Sequence, residues 1–157
     1  MSLLALTVPR EYGYVVGVTA FTCFVGVWHG FRVAAFRKPA KIIYPKAWAD
    51  NTDLANATSG EQKKAMYLFN CAQRAHINFN ENHPSVMATM LLSGIVYPQT
   101  SAALGAIWSF GRIMYAFGYT SPTAENGKGR VVGFGVAFFP MIGLFGLAAW
   151  TAAKMVL

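Results

Sequence analysis

The sequence predicts an all-α integral-membrane protein, a four-helix bundle forming a single domain over residues 1–157. Three observations lead there. Hydrophobic residues make up 55% of the chain and charged residues only 12%, with a mean hydropathy of +0.37, whereas soluble domains carry about 25% charged residues. Three uncharged runs, Tyr12–Phe31, Ser85–Gly111 and Val131–Ala153, are each long enough to cross a bilayer, which takes about 20 mainly apolar residues. The middle run is too long for one span and is interrupted by Pro98, with Gln99, Thr100 and Ser101 following. Proline removes a backbone donor and disfavours helix at the residue before it. The run therefore divides at a turn near residues 97–102, giving four transmembrane helices.

In chain order the helices fall at about 11–37, 65–96, 102–120 and 129–155, with a loop over about 38–64, boundaries carrying the usual error of a few residues. Short connections between the last three favour an up-down antiparallel bundle. The first helix has no basic stretch before it and is long enough to be a span, which reads against a cleaved signal peptide. The stretch Tyr44–Gly60 is polar and reads as a long, partly ordered loop. It contains Asn56-Ala57-Thr58, a glycosylation acceptor pattern that a cytosolic loop would never present to the transferase. Gly133, Gly135, Gly143 and Gly146 would let the last helix approach its neighbours closely. Trp28, Tyr44, Trp48, Tyr67, Tyr97 and Trp150 fit interfacial anchors. Phe110, Phe117, Phe134, Phe138 and Phe139 fit bundle packing better than a lipid groove between subunits. Cys23 and Cys71 read as small packing residues.

The charges set an orientation. Arg37, Lys38, Lys41, Lys46, Lys63 and Lys64 lie between the first two helices, and Lys128 and Arg130 between the last two. The positive-inside rule puts both basic loops in the cytosol and both termini on the luminal side. This bias accounts for most of the net charge of +7, so no nucleic-acid partner is implied; anionic lipid headgroups are the natural counterpart.

Arg74, Asn78 and Glu81 stand at i, i+4 and i+7 and share one face of the second helix. Arg112, Tyr115 and Tyr119 do the same on the third. Polar groups inside a membrane are expensive and usually face a bundle interior or a polar cavity. Spacing alone leaves two readings equally open: an internal ion pair that locks the bundle, or a ligand site. Arginine grips carboxylates through a planar fork, Glu accepts from an ammonium group, and Asn offers one donor and one acceptor edge suited to a peptide bond. Such a set suits a small zwitterion with several carboxylates and amides, and glutathione is one. His29 reads as a satisfied polar group of the bundle. His76 and His83 lack a third partner in pattern, so no metal site is expected.

The segment Phe69-Asn70-Cys71-Ala72-Gln73-Arg74-Ala75-His76-Ile77-Asn78, continuing to Glu81 and Pro84, resembles the signature of the MAPEG family, membrane-associated proteins of eicosanoid and glutathione metabolism. It is most similar to the microsomal glutathione S-transferase type-3 branch. Glu11-Tyr12-Gly13, the stretch from Arg37-Lys38 to Tyr44-Pro45, and Gly111-Arg112 with Tyr115, Gly118 and Tyr119 agree in order. The resemblance covers nearly the whole chain except the 46–64 loop. It implies a homotrimer in the endoplasmic reticulum membrane, holding glutathione as cosubstrate between subunits near the cytosolic face. Arg37, Arg74, His76, Asn78, Glu81, Tyr115 and Tyr119 would bind it.

The resemblance also implies a catalytic arginine at the start of the last helix, for which Arg130 is the best match and Lys128 the second. A thiol with a pKa near 8.5 is mostly protonated at neutral pH, and an adjacent cation lowers that value. The implied activity is glutathione transfer, with glutathione-dependent peroxidase chemistry, on hydrophobic electrophiles or lipid hydroperoxides and with no metal. The rival is a non-catalytic lipid-binding scaffold resembling 5-lipoxygenase-activating protein, a branch without the full arginine set. A transporter would need a polar path across the membrane, and the polar stripes gather near one face. Asn82 and His83 replace the aromatic residue found after the glutamate in several relatives, and Lys38 stands where leukotriene-C synthase relatives carry a second arginine.

Overall fold

Pro98 marks a helix start. It sits in the first turn of its helix, where its missing N–H has no intrahelical partner to lose, and Tyr97 ahead of it accepts the first hydrogen bond, from Ser101 N at 2.9 Å. The computed structural model describes residues 8–121 and 127–157. Among them the chain forms α1 (Tyr12–Ala40), a short α2 (Asn51–Ala55), α3 (Gly60–Gly94), α4 (Pro98–Tyr119) and α5 (Arg130–Val156), with no strand. The four long helices are the expected bundle. α1 packs on α3 and α4, α5 packs on α4 and α3, and the α3–α4 contact lies between them.

Each long helix buries one stripe. On α1 the buried residues are Val15, Thr22, Val25, His29, Val33, Arg37 and Ala40, the three-, four- and seven-residue spacing of a single face. The main core joins Val15, Phe79, Val86, Met90, Trp108 and Leu144 from all four long helices. Among the described residues, α1 and α5 are long and apolar enough to cross a membrane by composition alone. α3 and α4 fall short of that test although the sequence reading made them spans. Their apolar content is diluted by the polar stripe and, on α3, by the solvated first turns around Glu61, Lys63 and Lys64.

The loop departs most from expectation. α3 begins at Gly60, five residues ahead of the apolar pattern, because Ser59 caps it by accepting from Gln62 N at 3.1 Å. Ahead of it Asp50 and Asp53 form a reciprocal capping box on α2. Lys46 Nζ lies 2.8 Å from Asp50 and 2.6 Å from Asp53. That hydrogen bond from Lys46 lowers the Asp50 carboxyl to about 2, and the two carboxylates raise the Lys46 ammonium. The segment is then pinned to α3. Asn70 brackets Ala49, accepting from its N–H at 2.9 Å and donating to its carbonyl at 2.8 Å, while Gln73 donates to Ala47 O at 2.5 Å. The segment is a docked strap carrying a short helix.

Three smaller expectations also change. Gly135 and Gly146 face open space, and Gly143 meets Leu104 at ordinary contact distance; only Gly133 of the four brings backbones together. The five phenylalanines expected to pack inward are exposed, Phe139 most of all. His29 is fully buried with Nε2 unpaired among the described residues. It is held by ring contacts with Trp28 and Phe79, both at 5.0 Å, and with His76 at 6.0 Å.

Candidate functional site

Two glycines bring α4 and α5 together where the polar residues lie. A methyl group at Gly133 would collide with the Tyr115 backbone, and one at Gly118 with the Gly129 carbonyl. Only hydrogen fits at either crossing, and the close approach sets Arg130, the first residue of α5, against Tyr119 and Tyr115 of α4. The Arg130 guanidinium lies 4.9 Å from the Tyr119 ring centroid and donates to Gly127 O at 2.9 Å. Tyr119 meets Tyr115 edge-on at 5.4 Å.

The α3 stripe joins from the other side. Arg112, almost fully buried on α4, donates to Asn78 Oδ1 at 2.6 Å. The Asn78 amide nitrogen donates to Glu81 Oε2 at 3.0 Å, and Arg74 donates to Glu81 Oε1 at 3.1 Å. The amide has one orientation available, because arginine has nothing to accept with and an ionised carboxylate nothing to donate. The chain Arg112–Asn78–Glu81–Arg74 contains two cations and one carboxylate, so one positive charge is unmatched within it. Arg112 Nε is buried without a partner among the described residues, and its guanidinium stacks 4.6 Å from the Tyr115 ring centroid.

Two adjoining cavities open here. One, about 320 Å³, is lined by Asn78, Tyr115, Arg130, Val131 and Phe134. The other, about 160 Å³, shares Asn78 and Phe134 and continues past Arg112 and Trp108 toward Phe138 and Met141. The first is polar at its Arg130 end and the second increasingly apolar. Together they can hold a charged molecule beside a hydrophobic one, with the arginine and the α5 N-terminus supplying positive potential.

Of the predicted residues, Asn78, Tyr115 and Arg130 meet at one cavity, and Tyr119 stacks on Arg130. Arg74 and Glu81 pair with each other but keep 47% and 48% of their side-chain surface exposed. The internal ion pair and an accessible polar face therefore coexist. His76 sits elsewhere, stacked on His29 toward α1. Arg37 is also apart from the cavity within one subunit. It is buried between the Tyr44 and Phe69 rings at 4.2 and 4.7 Å and donates to Lys46 O at 2.6 Å. Lys128 is exposed and does not line the cavity. The sequence reading passed over Val131 and Phe134 as lining residues, although Phe134 lies one helical turn beyond Arg130 and shares its face.

These features define a helical membrane-type bundle with an arginine-lined cavity beside a more apolar one. The family model of the MAPEG family matches residues 15–150, and the chain belongs to that family. Membership supports a role in membrane glutathione or eicosanoid metabolism in general; the family holds both glutathione transferases and non-enzymatic members.

Proposed function

We propose that this protein is a membrane glutathione S-transferase with glutathione-dependent peroxidase capability, of the type-3 microsomal branch. The observation that carries the reading is the convergence of Arg130, Tyr115 and Asn78 on one cavity that continues into an apolar one. Glutathione carries two carboxylates, one ammonium and two peptide bonds. Arg74 and the unmatched positive charge of the Arg112–Asn78–Glu81 chain suit the carboxylates, Glu81 the ammonium and Asn78 a peptide edge. The Arg74–Glu81 pair is half exposed and contributes little on its own, so exchanging it for a ligand meets little resistance.

Arg130 then faces the thiol. Its charge, with the α5 N-terminus, favours the thiolate. The thiolate attacks an electrophilic carbon lodged along Phe134 and Phe138, forming a carbon–sulfur bond as the leaving group departs with the bonding pair. With a hydroperoxide it attacks the terminal oxygen, forming the sulfenic acid of glutathione as the O–O bond breaks and the alkoxide takes a proton from water to leave as the alcohol; a second glutathione converts the sulfenic acid to the disulfide and water. Arg130 stabilises charge and positions the sulfur, with no proton transfer required of it.

In the full reading, residues 1–157 form one domain that assembles as a homotrimer in the endoplasmic reticulum membrane. The basic loops face the cytosol and the termini the lumen. Arg37 and His76, remote from the cavity in their own subunit, would serve a glutathione held by the neighbour. The test is an ultraviolet difference spectrum on adding glutathione to purified protein. A thiolate band near neutral pH that Arg130→Ala abolishes supports the reading. Absence of both band and turnover would leave a lipid-binding scaffold.

A further inference from the structure

Arg32 lies two turns before the end of α1, in an apolar setting that nothing in the glutathione site uses. Its guanidinium sits over three rings: Phe117 at 4.4 Å, Trp28 at 5.0 Å and Phe36 at 5.4 Å. One terminal nitrogen donates to Thr120 Oγ1 at 2.5 Å and reaches Ala116 O at 3.5 Å. No carboxylate pairs with it among the described residues, where every ion pair involves Lys46 or Arg74. Its remaining N–H groups have no protein acceptor there either.

Beside this cation an apolar groove of about 310 Å³ opens outward between α1 and α4, lined by Phe21, Phe24, Val25, Trp28, Ile113 and Phe117. Trp28 and Phe117 belong both to the groove and to the cage of rings around Arg32, so cation and groove form one continuous surface. Phe24 is 72% exposed and Phe117 56%. The groove shares no lining residue with either cavity of the glutathione site.

We infer that this groove holds an acyl chain of an anionic phospholipid whose phosphate is gripped by Arg32. The argument is charge complementarity joined to shape. The groove offers an apolar wall to a chain, and beside it the Arg32 guanidinium, paired with no carboxylate among the described residues, lies over two of the lining rings. A planar fork presented in that way suits a phosphate better than a point charge would. The same end of the bundle carries Lys38, Lys41, Lys128 and Arg130, which gather anionic headgroups there. Thr120 and the ring cage fix the guanidinium, so little side-chain freedom is lost on binding.

Native mass spectrometry of the detergent-solubilised protein with equimolar phosphatidic acid and phosphatidylcholine reads this directly, without glutathione. The wild type should retain phosphatidic acid about fivefold over phosphatidylcholine, the preference one juxtamembrane cation supplies. Arg32→Gln should reduce that ratio to the composition of the mixture, Arg32→Lys should keep part of it, and Lys63→Gln should leave it unchanged. Phe24→Ala, at an exposed position where truncation spares the fold, should lower retention of both lipids while preserving the ratio. This variant carries the test if Arg32→Gln misfolds. The proposal is overturned if the wild type shows no preference or retains no lipid because a neighbouring copy covers the groove. Full preference in a folded Arg32→Gln, unchanged retention in Phe24→Ala, or displacement of phosphatidic acid by equimolar palmitate would overturn it too.

Discussion

Arg37 and Arg130 are the same residue type, both assigned to the glutathione site by sequence, yet they stand in different surroundings. Arg37 is sandwiched by Tyr44 and Phe69 and tied to the Lys46 carbonyl, so its charge organises the strap between α1 and α3. Arg130 lines a cavity and stacks on Tyr119, whose ring meets Tyr115 at the cavity wall. A guanidinium enclosed by its own chain first serves folding; one set at a cavity wall is placed to act on what enters. The sharpest way to break this contrast is to truncate both. Arg130→Ala should lower kcat by about 10²–10³, the effect of removing one charge-stabilising donor, with a smaller loss of stability than Arg37→Ala. Arg37→Ala should lower stability by about 1.5–3 kcal/mol, the range for hydrogen bonds to a charged group, with activity loss following the unfolded fraction and a raised KM. Equal stability losses in a denaturation series would erase the distinction.

The second test compares two glycines of α5 only two residues apart, on different faces of the helix. Gly133→Ala forces a methyl into the Tyr115 backbone and should destabilise by about 1–3 kcal/mol through overpacking, shifting Arg130 away from Tyr115 as it does so. Gly135 has nothing within 4 Å, so Gly135→Ala should be neutral or gain about 0.5–1 kcal/mol from helix propensity. Thermal midpoints and thiolate absorbance of the two variants, measured together, check both halves.

What was legible from sequence follows this division. The four long helices, the Pro98 break and the Arg74–Asn78–Glu81 stripe are periodic or local signals, and periodicity in a helix is geometry. The Asn78–Arg130 cavity was legible through the family resemblance, because its residues come from three helices whose contacts no spacing reveals. The strap was illegible: its order depends on Asn70 and Gln73 meeting Ala49 and Ala47 more than 20 residues earlier. The direction of Phe110, Phe117 and Phe139 was also hidden, since an apolar residue facing lipid and one facing the core look alike in a chain this hydrophobic. Gly133 and Gly135 illustrate the same limit, for nothing local says which glycine lies under a neighbouring helix.

Glu81 gives a subtler test, because it belongs to an ion pair and to the proposed ligand site together. Glu81→Gln keeps the shape and removes the charge. With both partners half exposed, the pair should contribute no more than about 1 kcal/mol to stability. If the carboxylate meets the ammonium of glutathione, losing that charge-assisted bond should raise the glutathione Kd about tenfold. Calorimetric titration beside a thermal melt separates the two. A stability loss without an affinity change would make the stripe a structural lock.

The smallest effect is expected in the strap, through pH. Asp50 is held at about 2, below its ordinary 3.8, by the Lys46 ammonium, so its contribution is present above the ordinary value and fades as pH falls toward 2. Lys46 is raised above its ordinary 10.5 by Asp50 and Asp53, so its contribution is present below that value and fades as pH climbs past it. Between about pH 5 and pH 9 both are fully charged and strap order should be flat. Glutathione bound at Arg130 should behave oppositely across the same window, its thiolate band growing with pH around a midpoint below the free thiol value of about 8.5. Amide exchange over residues 47–53, followed alongside thiolate absorbance, compares the two regions in one sample. A strap that loosened in step with thiolate formation would mean that the Arg37 and Arg130 regions respond as one unit, and the contrast between an enclosed arginine and one at a cavity wall would fail.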